Sequence, residues 1–222
     1  MTPPTLDAIE VEPKSPARGA VIWLHGLGAD GRDFLPIVDE LALPDEFALR
    51  WVFPNAPQMA VTINNGMVMR AWYDIVSADF RRHADHDGVM ASVVAVERLI
   101  AREIARGIPA RHLLLGGFSQ GGVVALHAGL RAGTLAGIAA LSTYLPLAEE
   151  LPPPSVAPPV FYAHGVADSV VPLALAEAAR DVLEARNVAV EFHRYPNLGH
   201  GVSLDEIDDL RTWMLARFES SE

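Results

Sequence analysis

The stretch from His112 to Gly122, H-L-L-L-G-G-F-S-Q-G-G, leaves this chain few ways to fold. A short apolar run, Leu113 to Leu115, ends in glycines and then in Ser119. A second apolar run begins at Val123 and continues to Leu130. The pattern predicts a buried strand, a tight turn and a helix, with a serine at the turn. Gly117 to Gly121 fits G-x-S-x-G, where side chains at the glycine positions would collide with neighbouring backbone. The first amides of such a helix favour negative charge near the serine hydroxyl. The pentapeptide alone fits equally well a glycine-rich strand–helix turn holding an ordinary serine.

The rest of the chain supplies more units of this kind. Ala20 to Leu24, Leu49 to Phe53, Leu135 to Leu141 and Val160 to Ala163 read as buried strands, and Val188 to Tyr195 alternates as another. Helical spacing occurs at Leu35 to Leu43. It recurs at Val89, Val93, Val96, Ile100 and Ile104, where Asp87 is the expected N-cap and Gly107 with Pro109 the stop. Pro172 to Arg186 reads as a helix with proline in its first turn. Leu204, Ile207, Leu210, Met214 and Phe218 form a last stripe, opened by a Ser203/Glu206 capping box. Buried strands alternating with helices predict an α/β fold: a mostly parallel, doubly wound sheet with helices on both faces. With 222 residues and 50% of them apolar, one domain spanning 1–222 is expected, with 1–18 as an extended lead-in that carries at most one edge strand. The proline-rich stretch Pro152 to Pro159 is expected to be a surface connection rather than a domain linker. Residues 54–86 show no sustained period, which suggests a functional loop.

Bulk properties remove several functional classes. A formal charge of -11 argues against a nucleic-acid or anionic-membrane surface, both of which need basic patches. The absence of cysteine excludes disulfides, thiolate catalysis and Cys-ligated zinc, and it suits a cytoplasmic setting. No apolar run is long enough for a transmembrane helix, and the N-terminus has no secretory pattern. His83 to Asp87 has metal-like letters at a spacing that matches no ligand pattern. No metal and no cofactor are expected.

A nucleophilic serine needs a base and an orienting acid. In a doubly wound sheet both come from loops at the carboxyl ends of strands. Asp168 follows the strand at Val160 to Ala163. His200 sits between glycines in the exit loop of the last strand. Ser119, Asp168 and His200 appear in the chain order used by α/β-hydrolases. Asp181, Asp205, Asp208 and Asp209 lie in or at the start of helices and are poorer choices for the acid. The loop Gly26 to Gly31 fits G-x-G-x-x-G, but Pro36 interrupts the helix that a dinucleotide fingerprint needs, and no acid ends the next strand. It reads better as an oxyanion-hole loop, with the Leu27 amide paired with that of Gln120. Met67, Met69, Trp72, Tyr73 and Val170 are candidate substrate contacts, the first four forming an apolar wall or flap over the site.

L-H-G-L-G-A-D-G (Leu24 to Gly31), R-A-W-Y-D (Arg70 to Asp74), G-G-F-S-Q-G-G (Gly116 to Gly122), L-S-T-Y-L-P (Leu141 to Pro146), H-G-V-A-D-S-V-V-P (His164 to Pro172) and G-H-G-V (Gly199 to Val202) occur in this order. From about residue 18 to the C-terminus, the sequence closely resembles the bacterial carboxylesterase and acyl-protein thioesterase family, also called the phospholipase/carboxylesterase family. Gly201 departs from the serine common after the histidine. The resemblance implies a small α/β-hydrolase without a large cap domain. It implies Ser119, Asp168 and His200 as the triad and the Leu27 and Gln120 amides as the oxyanion hole. The implied partners are small esters or thioesters with medium or long acyl chains, an acylated protein or a lysophospholipid. The same centre serves all of these, so the leaving group stays open. An apolar flap could also pair with a second copy as a homodimer.

Overall fold

The computed structural model describes residues 6–77, 84–152 and 157–219. Its frame is a seven-stranded sheet in the order β1-β3-β2-β6-β7-β8-β9. The strands are β1 (Ala8–Val11), β2 (Gly19–Leu24), β3 (Leu49–Pro54), β6 (Leu113–Phe118), β7 (Gly137–Leu141), β8 (Val160–Gly165) and β9 (Val190–Tyr195). All neighbours pair in parallel except β1, which runs antiparallel to β3 at the edge. That edge strand is the one expected in the lead-in.

Residues of one strand alternate between two cores. Ala20, Ile22 and Leu24 of β2 join a cluster with α2 (His86–Ala105), α3 (Gln120–Ala132) and α4 (Leu173–Ala185). Val21 and Trp23 join the other face, under α1 (Ile37–Leu41) and α5 (Leu204–Glu219). The period of two in the strands therefore sends successive side chains into opposite helical layers. This is why the strands read as continuous apolar runs rather than as alternating ones.

Several local expectations shift. The N-cap of α2 is Asp85, whose carboxylate accepts the Gly88 amide at 3.0 Å, not Asp87, which lies in the first helical turn. Pro172 is the residue before α4 rather than inside it. The helix expected over Leu35 to Leu43 is short, because Ala42 turns left-handed at φ 42°. The Ser203/Glu206 capping box forms as expected, with Ser203 Oγ accepting the Glu206 amide at 3.2 Å.

The stretch read as structureless contains a hairpin, β4 (Gln58–Val61) and β5 (Met67–Arg70), paired antiparallel. Half of its strand residues are exposed and only Val61 is fully buried, so no burial pattern marked them. The usable signal was Asn65-Gly66, both at positive φ, a pair favoured in tight hairpin turns. Residues 78–83 of that stretch, including His83, and 153–156 of the proline-rich connection lie outside the described residues. Among the described residues no helix is long and apolar enough to cross a membrane.

Candidate active site

Ser119 stands between β6 and α3 with φ 53° and ψ −119°, a conformation that costs a non-glycine residue about 1–3 kcal/mol. The turn holds it there by crowding. A Cβ on Gly117 would lie 2.4 Å from the Gly121 carbonyl oxygen, and one on Gly121 would lie 2.4 Å from that of Leu24. Only glycine lets the elbow close against itself and against β2. The Ser119 amide donates to Leu141 O at 2.9 Å, and Thr143 Oγ1 donates to Ser119 O at 2.7 Å. The strained residue is thus tied to β7 and the loop that follows it.

The carboxyl ends of β8 and β9 bring the other two side chains. His200 Nε2 lies 3.1 Å from Ser119 Oγ, and His200 Nδ1 lies 2.8 Å from Asp168 Oδ2. A carboxylate oxygen can only accept here, so Nδ1 carries the proton and Nε2 is free to accept the serine hydroxyl. Asp168 is buried at 6% exposure, and its Oδ1 accepts the amides of Val170 and Val171, both at 2.8 Å. Those bonds fix the carboxylate plane that orients the imidazole. Two of the rival acids are engaged elsewhere: Asp209 accepts the Tyr195 hydroxyl and Asp181 pairs with Arg180. Phe118 packs its ring 4.8 Å from that of His200.

Gly26 lies directly against the serine: a Cβ built on it would sit 3.5 Å from Ser119 Cβ. The Gly28 and Gly31 amides are spent on protein acceptors, Arg70 O and Asn55 Oδ1, each at 2.9 Å. The Leu27 and Gln120 amides have no such acceptor among the described residues. Both flank Ser119 at the rim of a cavity of about 380 Å³. Its wall includes Phe34, Tyr73, Ile75, Phe118, Tyr144 and Val170.

The candidate substrate contacts therefore divide. Tyr73 and Val170 line the cavity. Trp72 does not: it is buried at 2% exposure beneath the site, and its indole N–H donates to His25 O at 2.8 Å. Met67 points outward on the hairpin at 64% exposure. Met69 lies behind the glycine loop, its Sδ accepting from Asn64 Nδ2 at 3.3 Å. The spacing R-A-W-Y gave no means to tell which aromatic faced in, because the segment has neither helical nor strand period. Phe34, Ile75, Phe118 and Tyr144 are lining residues that were missed, although Tyr144 stands in L-S-T-Y-L-P just past the end of β7.

Burial favours the neutral form of two imidazoles and two phenols beside the site. Burial pushes the His25 and His164 imidazoles below their ordinary range. His25 Nδ1 donates to Gly26 O at 2.7 Å and its Nε2 accepts the Ala56 amide at 3.0 Å, so the ring braces the glycine loop. His164 Nε2 donates to Val171 O at 2.8 Å, behind Asp168. Tyr73 and Tyr144 share a hydroxyl–hydroxyl bond of 2.9 Å, and burial pushes Tyr144 up to about 12. Among the described residues no group of His, Asp or Glu could hold a metal ion.

The model of the phospholipase/carboxylesterase family matches residues 7–216. Acyl-protein thioesterase 1 of Neurospora crassa is 39% identical over 210 residues, covering 89% of this chain and 86% of the relative. Carboxylesterase SOBER1 of Arabidopsis thaliana is 34% identical over 212 residues, covering 92% of this chain and 93% of the relative. The SOBER1 crystal structure superposes with a TM-score of 0.83 at 33% identity, covering 90% of this chain and 99% of that one. These relatives are fungal and plant proteins, so the bacterial qualifier in the resemblance drops away.

Proposed function

Because the chain belongs to the phospholipase/carboxylesterase family, a family of hydrolases, we infer that it cleaves carboxylic esters and thioesters of medium or long acyl chains through an acyl-enzyme on Ser119. The observation that carries this reading is the unbroken line from Ser119 Oγ through His200 to Asp168, at 3.1 and 2.8 Å. His200 Nε2 takes the hydroxyl proton as Oγ attacks the carbonyl carbon. Asp168 holds the tautomer and stabilises the imidazolium that forms. The oxyanion of the tetrahedral intermediate faces the Leu27 and Gln120 amides, and one such donor is worth about 3 kcal/mol. The imidazolium then protonates the leaving alcohol or thiol, and water repeats the sequence on the acyl-enzyme. No step needs a metal or cofactor.

The cavity favours an acyl or aryl group over a charged one. At about 380 Å³ it falls at the small end of ligand sites, and its wall is mainly aromatic and aliphatic. A thioester leaving group has specific support in the relatives named acyl-protein thioesterase. A non-catalytic binder with this fold would have no use for a strained serine aligned with an imidazole. The discriminating experiment is a chain-length series on matched p-nitrophenyl esters and acyl thioesters. Hydrolysis with an optimum at medium or long chains is expected. No hydrolysis of either series by folded protein would overturn the reading.

A further inference from the structure

One segment, Arg70 to Tyr73, touches both sides of the proposed oxyanion hole. On one side the Gly28 amide donates to Arg70 O at 2.9 Å, and the Trp72 indole N–H donates to His25 O at 2.8 Å. These bonds flank Leu27 within the glycine loop. On the other side the Gln120 side chain, with Gln120 only 1% exposed, makes two bonds to the same segment. Its Oε1 accepts the Trp72 amide at 2.8 Å, and its Nε2 donates to Tyr73 O at 2.6 Å. The remaining Trp72 carbonyl accepts Ser92 Oγ of α2, so the segment is itself anchored. The two donors come from different loops, one after β2 and one after β6. Each donor's own surroundings are fixed to a single third piece of backbone.

We propose that the Gln120 side chain and the Trp72 indole are positioning residues that set the spacing of the Leu27 and Gln120 amides around the developing oxyanion. Neither group touches the reacting atoms. A side-chain amide is well suited to this role, because one planar group offers an acceptor and a donor to successive peptide units. Its burial means that each bond, once lost, leaves an unpaired polar group, so the clamp has one arrangement rather than many. A shift of a few tenths of an ångström in either amide weakens a bond made chiefly in the transition state. Ground-state binding in the cavity is untouched. The consequence is a fall in kcat with little change in KM.

This inference rests on the acyl-enzyme reading above, and the test separates the two. Wild type, Trp72→Phe, Gln120→Met and Ser119→Ala are purified folded, and ester hydrolysis and thermal midpoints are measured. Trp72→Phe keeps an aromatic side chain and loses the indole donor together with the five-membered ring that carries it, and the thermal midpoint reports the packing part of that loss. A kcat lower by about 10- to 100-fold with KM within about threefold is expected for Trp72→Phe and for Gln120→Met. Affinity for an alkyl boronic acid, which forms a tetrahedral anion on the serine, should fall in parallel with kcat. If Gln120→Met yields no folded protein, Trp72→Phe alone decides. A kcat within threefold of wild type, or a rise in KM that accounts for the whole loss, overturns the clamp. An inactive wild type, or an active Ser119→Ala, instead overturns the reading beneath it.

Discussion

His200 Nε2 lies 3.1 Å from Ser119 Oγ although 81 residues separate them in the chain. They meet because β6 and β9 point the same way in one parallel sheet, so both exit loops open at one edge. Asp168 enters from β8, which lies beside β9. The site is thus a consequence of strand direction before it is a matter of side-chain chemistry.

Asp168→Asn tests the orienting role. Asparagine keeps an oxygen for the Val170 and Val171 amides but presents an N–H2 group to His200. The imidazole must then carry its proton on Nε2, where it cannot act as a base. A loss of about 10⁴ in kcat with an unchanged thermal midpoint is expected in steady-state ester hydrolysis. A loss below tenfold would remove Asp168 from the proposed machinery.

Gly121→Ala tests the elbow. The added methyl would sit 2.4 Å from Leu24 O and 2.5 Å from His25 O, both backbone atoms of β2 and its exit. Neither can yield without parting β2 from the nucleophile turn. Chemical denaturation should show a loss of more than about 2 kcal/mol, or no folded protein at all. A fully stable, fully active variant would show that the turn is looser than drawn.

Glu103 is buried at 0% exposure on α2 and pairs with Arg50 of β3 at 2.9 Å and with Arg106 at 3.1 Å. Glu10 and Glu12 bind the same arginines from the edge. Glu103→Ala removes the buried carboxylate of a cluster whose two arginines keep Glu10 and Glu12 as partners, and a cost of about 1–3 kcal/mol is expected in urea denaturation. Esterase activity of the folded fraction should be unchanged, because the cluster lies away from the cavity wall.

Glu206 gives a pH signature. Burial holds its carboxyl up at about 8, opposed by the Ser203 amide and reinforced by Asp209. Unfolded, it ionises near 4.5. Between those values folding must keep a proton that the unfolded chain has released, so stability falls as pH rises from about 4.5 to about 8. Glu206→Gln removes that dependence and retains an oxygen for Ser203 N–H. The midpoint of the variant relative to wild type should therefore climb between pH 5 and pH 8. A constant difference across that range would contradict the assignment.

The legible parts of this molecule were those with a strong local signal. Buried strands read from apolar runs, and Ser119, Asp168 and His200 read from their places after strands. What the sequence hid had weak local signals. The hairpin around Asn65-Gly66 is half exposed, so burial left no trace in its pattern. Trp72 and Tyr73 are neighbours with opposite fates, one under the site and one in its wall, because an irregular segment has no period to assign faces. The Gln120 side chain was invisible for a different reason: its partners are backbone atoms 47 and 48 residues away, and backbone atoms carry no letter.

The most direct test is Ser119→Ala, prepared beside wild type and checked for an unchanged fold. Catalysis through Ser119 requires that hydrolysis of a p-nitrophenyl ester fall by about 10⁴ or more, and that the variant take up no fluorophosphonate label while wild type takes up one. An alanine variant that keeps most of its activity would mean that the hydroxyl 3.1 Å from His200 is not the nucleophile.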